Sequence, residues 1–456
     1  MKKLVYILIT LLSLAGLITC LILKGSYYDF NPSNVKNNIE YLSSTDFKGR
    51  LTGSDENYMV GSNIESTFKE YNLKPLGKDF KEGFNVMTPT STNANCSLKI
   101  LEDKTTIKEF TLGEDFKEDM LNFKDTSIQF TNEDKINIYQ KSLSITKGDI
   151  EYLFYVTYDK EFSFRSSFIN DSEIGFAMQI NTSTFNEILD SLRSGYTLDV
   201  QLPYKVQQKE VFNIVGKIDG TSKNLPPLII TSHYDHVGAD TLNSVYYGAL
   251  DNASGTAFML ELARSFSTLK MPKRDIIFVA LNGEEFGLLG SKAFSNKYKD
   301  ELKGAEVINF DMIGVKDCPI TLMEGANSKD NGSNLLQDLE IICDQKNIKK
   351  LVTYQDSSDH ASFINDGFDS LTISHADVSN IHTPRDTPEK ISTEAISSVY
   401  DVVESKILDY AYENNFLIFY NSKTLIFFSL STFTLIGFGI IQLNKLKKFN
   451  ENNANI

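Results

Sequence analysis

Two unbroken apolar runs bracket the chain and set its layout. Leu4 to Leu23 and Thr424 to Leu443 each run 20 residues without a charge. At about 1.5 Å rise per residue either makes a helix about 30 Å long, the thickness of a bilayer's hydrocarbon core. Residues 4–23 and 424–443 are therefore read as two transmembrane helices. No small-x-small cleavage site follows the first, and Leu17-Ile18-Thr19-Cys20 only loosely resembles a lipoprotein processing box, so an uncleaved anchor is expected. Lys2 and Lys3 precede the first run, and Lys445, Lys447 and Lys448 follow the second. Basic flanks favour the cytoplasmic side, which puts both termini inside a cell membrane and the long middle segment outside.

The middle segment changes periodicity twice. In residues 31–85, Val60, Ile64, Phe68 and Tyr71 recur at helical spacing after the turn-rich stretch Gly49 to Asp55. Residues 86–207 are dominated by short β-rich runs such as Ile150 to Val156 and Ile174 to Ile180, with one helix-like stretch from Thr184 to Arg193. Tyr196, Leu198, Val200 and Leu202 alternate with polar neighbours, the mark of a half-buried strand, and the whole stretch reads as a small separate domain. Across 208–412, strands and helices alternate. Leu228 to Thr231, Ile276 to Leu281, Val307 to Phe310 and Leu371 to Ile373 read as buried strands, and Ala253 to Phe266 as a helix with Asp251 and Asn252 near its N-cap. That alternation predicts an α/β sheet with helices on both faces.

Composition narrows the partners. Acidic residues outnumber basic ones 60 to 45, and seven of the lysines belong to the two apolar runs' flanks, so the outer segment is more acidic still. Nucleic acid, whose phosphates it would repel, is excluded as a partner. Of four cysteines, Cys20 lies in the first apolar run. A Cys318–Cys343 disulfide in an oxidising compartment and free buried thiols are equally compatible with the rest.

All five histidines, His233, His236, His360, His375 and His382, fall between residues 233 and 382. Several ionisable groups also stand just past the ends of apolar strands: His233 and Asp235, Glu284 and Glu285, and Asp311. In open α/β sheets the crevice beyond the strands' carboxyl ends is where ligands bind. Carboxylates and imidazoles gathered there would repel or desolvate one another unless a cation joined them. Oxygen and imidazole ligands suit zinc, with manganese or cobalt as alternatives, and one bridging carboxylate would allow two ions. Two metals about 3.5–4 Å apart acidify a shared water, whose proton a further carboxylate must take. Adjacent glutamates could divide ligation and base between them.

Six blocks in order resemble the co-catalytic zinc aminopeptidases of the bacterial leucyl aminopeptidase type. They are Ser232-His233-Tyr234-Asp235-His236, Gly248 to Gly255, Asn282-Gly283-Glu284-Glu285, Asp311-Met312-Ile313-Gly314, Ser358 to Phe363, and Ile381 to Thr387. Gly49-Arg50 is similar to the family's N-terminal opening, and residues 86–207 look like the protease-associated domain that many members carry as an insertion. The resemblance implies a mixed, mostly parallel sheet sandwiched by helices, with a small β-rich inserted domain and a transmembrane helix at each end. It implies that Asp251 bridges two zinc ions, that His233 and Asp311 complete one site, and that Glu285 and His382 complete the other. Glu284 would be the general base, and Asp235 the carboxylate holding the His233 ring. Neither His236 nor His375 receives a ligand role, and His360 with Asp359 either lines the pocket or is structural. Tyr354 lies near, but out of register with, the position where some relatives place an oxyanion-stabilising tyrosine.

The expected activity is removal of N-terminal residues from peptides. Rival readings are a carboxypeptidase of the same fold, a glutaminyl-cyclase-like cyclotransferase and a non-catalytic receptor-like ectodomain. The cyclase reading is weakened by Ile381, which stands where those enzymes have a Trp that this chain lacks altogether.

Overall fold

A computed structural model describes residues 2–329, 332–412, 419–420 and 422–454. Its centre is a nine-stranded mixed sheet. In chain order the strands are β1 (Lys74–Pro75), β2 (Lys81–Ser91), β3 (Tyr204–Ile218), β4 (Leu228–His233), β5 (Ile276–Leu281), β6 (Glu306–Phe310), β7 (Ile320–Glu324), β8 (Lys350–Tyr354) and β9 (Asp369–Ser374). In space they run β1-β3-β5-β4-β6-β9-β7-β8, with β2 also paired to β3. The central strands β5, β4, β6 and β9 are mutually parallel. Every residue of β4 and β5 is buried, as expected for parallel strands covered on both faces.

Ten helices are described: α1 (Lys2–Ser26), α2 (Pro32–Leu42), α3 (Asp55–Glu70), α4 (Thr182–Arg193), α5 (Gly255–Ser267), α6 (Leu289–Tyr298), α7 (Asn334–Gln345), α8 (His360–Asn365), α9 (Thr393–Ile407) and α10 (Ser422–Ala454). Strand side chains alternate between faces. Leu228, Ile230, Phe278 and Ile308 therefore meet α2, α3, α5, α7 and α9 on one side. On the other, Ile229, Ile277, Val279 and Val307 meet α6 and α8. The expected helix over 253–266 is α5, which begins at Gly255 after a tight turn, Ala249–Ser254. Asn252 caps it, its Oδ1 accepting from Gly255 N at 2.9 Å. Asp251 turns away from that task.

The boundaries drawn at 85/86 and 207/208 fall inside β2 and β3, which pair antiparallel from Lys81↔Ile214 to Tyr204↔Ser91 as a two-stranded arm. At the end of the arm, residues 97–201 form a five-stranded and a four-stranded sheet with α4 beside them. The apolar core of this insert continues into Val237, Tyr246 and Phe286 of the central domain. Buried charges lie at the same junction. The Arg165 guanidinium donates to Glu118 Oε1 at 3.2 Å and to Val237 O at 3.0 Å, and Lys117 Nζ donates to Tyr246 OH at 2.6 Å. Glu118→Ala would strand the Arg165 charge in the interior. A loss of about 3–5 kcal/mol is expected, read as a lowered denaturation midpoint; an unchanged midpoint would show that the pair carries no stability.

Helices α1 and α10 are long and apolar enough to cross a membrane. They pack on each other, with Ser13 Oγ and Thr432 Oγ1 2.8 Å apart between them. The chain leaves α1 directly onto the far end of α5: Tyr28 N donates to Thr268 Oγ1 at 3.0 Å, and Lys270 N to Tyr420 OH at 2.9 Å. Helix α5 starts beside the strands' carboxyl ends and runs away from them. The two apolar helices therefore join the domain at the end opposite those strand tips. All four cysteines are free thiols.

Candidate metal centre

The candidate side chains gather at the carboxyl ends of the strands and in the loops beyond them. His233 is the last residue of β4, with Asp235 and His236 in the loop beyond. Glu284 and Glu285 follow β5, Asp311 follows β6, and His382 lies in the turns between β9 and α9. Asp251 sits before α5. Its backbone is drawn in by Asp386, whose carboxylate accepts from Leu250 N at 2.8 Å and Asp251 N at 3.0 Å. Gly248 (φ +57°) has no alternative here, since a Cβ would stand 2.3 Å from Asp251 O and 2.6 Å from the His236 ring. The fully buried Arg50 supports this loop, donating to the carbonyls of Tyr234, Tyr247 and Gly248 at 2.8–3.0 Å. Burial pulls its pKa down to about 10 against Asp251, Asp386, Asp235 and Glu285. It remains a fixed cation beneath the acidic cluster.

Two groups of ligand-type atoms result: His233, Asp251 and Asp311; and His236, Asp251, Glu285 and His382. Asp251 belongs to both. Its Oδ1 lies 3.5 Å from His233 Nε2, while its Oδ2 lies 3.3 Å from His382 Nε2. Asp311 Oδ1 is 3.5 Å from His233 Nε2, and Glu285 Oε1 is 3.0 Å from His382 Nε2. Tetrahedral zinc with ligands at about 2.0–2.2 Å sets neighbouring ligand atoms roughly 3.4 Å apart, so these separations fit. His233 Nε2 and Asp311 Oδ1 are buried and have no hydrogen-bond partner in the protein. Such atoms are costly unless a cation takes them up. Burial alone would lower the His233 and His382 imidazolium pKa values. The facing carboxylates outweigh it, Glu284, Asp311 and Asp235 around His233, and Glu285 and Asp251 around His382, and hold both well above the ordinary range. The pocket is built to hold positive charge.

Asp235 touches neither group's centre. Its carboxylate lies 3.7 Å from His233 Nδ1 and accepts from Thr52 Oγ1 at 2.9 Å and from the Glu284 and Glu285 N–H groups at 3.3 and 3.2 Å. Glu284 lines a cavity of about 490 Å³ together with Asp251, Glu285, Asp311 and His382. Burial first, then repulsion from Glu285, Asp359 and Asp311, holds its carboxyl well above the usual carboxylate range against the pull of His233. Beyond the acids, His382 and Gln355, the walls are apolar or hydroxylic, with Met312, Met323, Val378, Ile381, Thr372 and Ser374.

The structure thus gathers His233, Asp251, Glu285, Asp311 and His382, with Asp235 and Glu284 beside them. It also brings in two residues without an expected role there. His236 Nδ1 lies 3.1 Å from Glu285 Oε1, and Ser167, from the insert, donates to Glu285 Oε2. His236 carried a signal in its place beside the His233-Tyr234-Asp235 block; Ser167 carried none. The other histidines bond structurally: His360 to Thr372 Oγ1 and Gln355 O, and His375 to Gly314 N. Thr353 and Gln355 line the cavity, and Tyr354 between them does not.

A mixed sheet sandwiched by helices, with two groups of ligand-type side chains at its strand tips, defines an α/β domain with a candidate metal site. Residues 213–406 match the profile of peptidase family M28. Aminopeptidase YwaD of Bacillus subtilis (strain 168) is 33% identical over 213 residues, covering 43% of this chain and 44% of that protein. A vacuolar membrane protease of Candida glabrata is 40% identical over 114 residues, 25% of this chain and 11% of the relative. The chain thus spans less than half the length of these curated relatives. Among solved structures, an aminopeptidase from Aneurinibacillus sp. strain AM-1 superposes with a TM-score of 0.58 at 24% identity, covering 84% of this chain and 94% of that one. BSAP, a zinc aminopeptidase from Bacillus subtilis, gives 0.59 at 20%, covering 85% and 97%. These two likenesses establish the shared fold.

Proposed function

We propose that this protein is a membrane-anchored, zinc-dependent aminopeptidase. The carrying observation is the pair of ligand groups that share Asp251 and open, beside Glu284, onto one cavity. In this reading His233, Asp251 and Asp311 hold one zinc ion, and Asp251, Glu285 and His382 the second. Zinc held by these residues would supply the Lewis acidity that activates a water and a carbonyl near neutral pH. Glu284 takes the proton from the water and returns it to the leaving amine. Asp235 keeps the His233 ring turned toward its site.

One feature favours the peptide's N-terminus. Four acids line the cavity, and no lysine or arginine does among the described residues. A carboxypeptidase would need such a cation to clamp the terminal carboxylate, whereas release of an N-terminal residue does not. The apolar α1 and α10, with their basic flanks, support anchoring with the catalytic domain outside the cell. The pocket then opens at the domain end away from the anchors, toward dissolved peptides.

The test uses the full chain in detergent, a panel of aminoacyl anilides, their N-acetylated forms and C-terminally blocked peptides. The expected result is two zinc ions per chain, with release of free N-terminal residues, block by N-acetylation, loss with chelator and return with zinc. A metal-free chain inert on every substrate would favour the receptor-like ectodomain, and release of C-terminal residues the carboxypeptidase.

A further inference from the structure

The β-rich insert reaches into the metal centre through one irregular segment, Phe164 to Phe168. Its main chain holds two of the turns that carry the second ligand group: Arg165 N donates to His382 O at 3.1 Å, and Phe168 N to Glu285 O at 3.0 Å. His382 needs that support, because its φ of +53° lies in the left-handed region that a non-glycine residue adopts only under constraint. The Phe164 ring stacks on the His382 imidazole with centroids 6.1 Å apart. Ser167 makes the most specific contact. Glu285 Oε1 faces His382 Nε2 and His236 Nδ1 at 3.0 and 3.1 Å, while Oε2 accepts the Ser167 hydroxyl. The serine thereby occupies one carboxylate oxygen and leaves the other to the ligand group.

The segment is itself immobilised from the insert side. Lys117 Nζ and Gln179 Nε2 both donate to Phe164 O, at 3.0 and 2.8 Å. Asp119 Oδ1 accepts from Ser166 N at 2.6 Å. The Arg165 side chain ties the same stretch to Val237 O in the central domain. A strap bonded both to the insert and to the ligand turns transmits position and does not merely cover the site.

We propose that the 164–168 strap is a built part of the zinc centre, with Ser167 as the positioning residue that orients Glu285. The proposal rests on reading the cluster as a zinc site. An outer partner of a metal ligand typically contributes 10–100-fold in metal affinity, and that is the effect assigned to Ser167.

Zinc affinity of the metal-stripped full chain in detergent, measured by chelator competition, tests it with Ser167→Ala and Ser167→Thr. Ser167→Ala should weaken one of the two zinc equivalents roughly 10–100-fold and leave the other unchanged. The denaturation midpoint of the metal-free protein should not move, and the turnover lost at limiting zinc should return at saturating zinc. Ser167→Thr, which keeps the hydroxyl, should restore affinity. Wild-type affinity for both ions in Ser167→Ala, or weakening matched by a fall in metal-free stability, would overturn the positioning role. Wild-type protein that binds no zinc would instead sink the zinc reading itself, and the strap proposal with it.

Discussion

Glu284→Gln should bind zinc like the wild type yet turn over substrate roughly 10²–10⁴-fold more slowly, the usual share of a general base. The substitution preserves shape and removes only the proton-accepting oxygen. Glu284 belongs to neither ligand group, so metal affinity should be spared. Its backbone N–H, which bonds Asp235, is also untouched. Steady-state kinetics should show the loss in kcat with KM little changed, because the proton is moved only on the way to the transition state. Near-normal turnover would remove Glu284 from the mechanism and redirect the search to Asp359, a buried carboxyl next to the cavity-lining Ser358, which burial pushes up to about 7.

Asp251→Ala should weaken both zinc equivalents together, and by more than the roughly 10–100-fold that loss of an outer partner costs. The reason is geometric. One carboxylate spans the two groups, Oδ1 toward His233 and Oδ2 toward His382, so truncation takes an oxygen from each. It also leaves imidazoles and acids crowded without their common counterpart. The backbone should hold, because Asp386 grips the main chain and not the side chain of Asp251. Chelator competition separates the outcomes. One equivalent retained at wild-type affinity would falsify the bridging role.

Much of the scaffold was legible in the chain itself. The expected strand over Ile276 to Leu281 is β5 to the residue, and Leu228 to Thr231 is β4 shortened by two, because β-branched runs covered on both faces have no polar alternation to blur them. The helix expected over Thr184 to Arg193 is α4, which starts two residues earlier because Asn181 caps it, its Oδ1 accepting from Thr184 N. The arm formed by β2 and β3 was not legible. Its two halves lie 113 to 133 positions apart in sequence, and no local pattern reveals a partner at that distance.

The sequence by itself determined which residues stand at strand ends, since that depends on where an apolar run stops and an ionisable residue follows. It also determined the two apolar helices, which need only length and the lack of charge. Tertiary structure alone decided what meets across the strand tips. His233, Asp251, Glu285, Asp311 and His382 come from one strand end and four separate loops, and the parallel order of β5, β4, β6 and β9 brings strand ends and loops side by side. It alone drew in His236 and, from an insert 118 positions away, Ser167. Local propensity acts within a few residues of the chain, whereas the hydrogen bonds and charges that orient a ligand act through space.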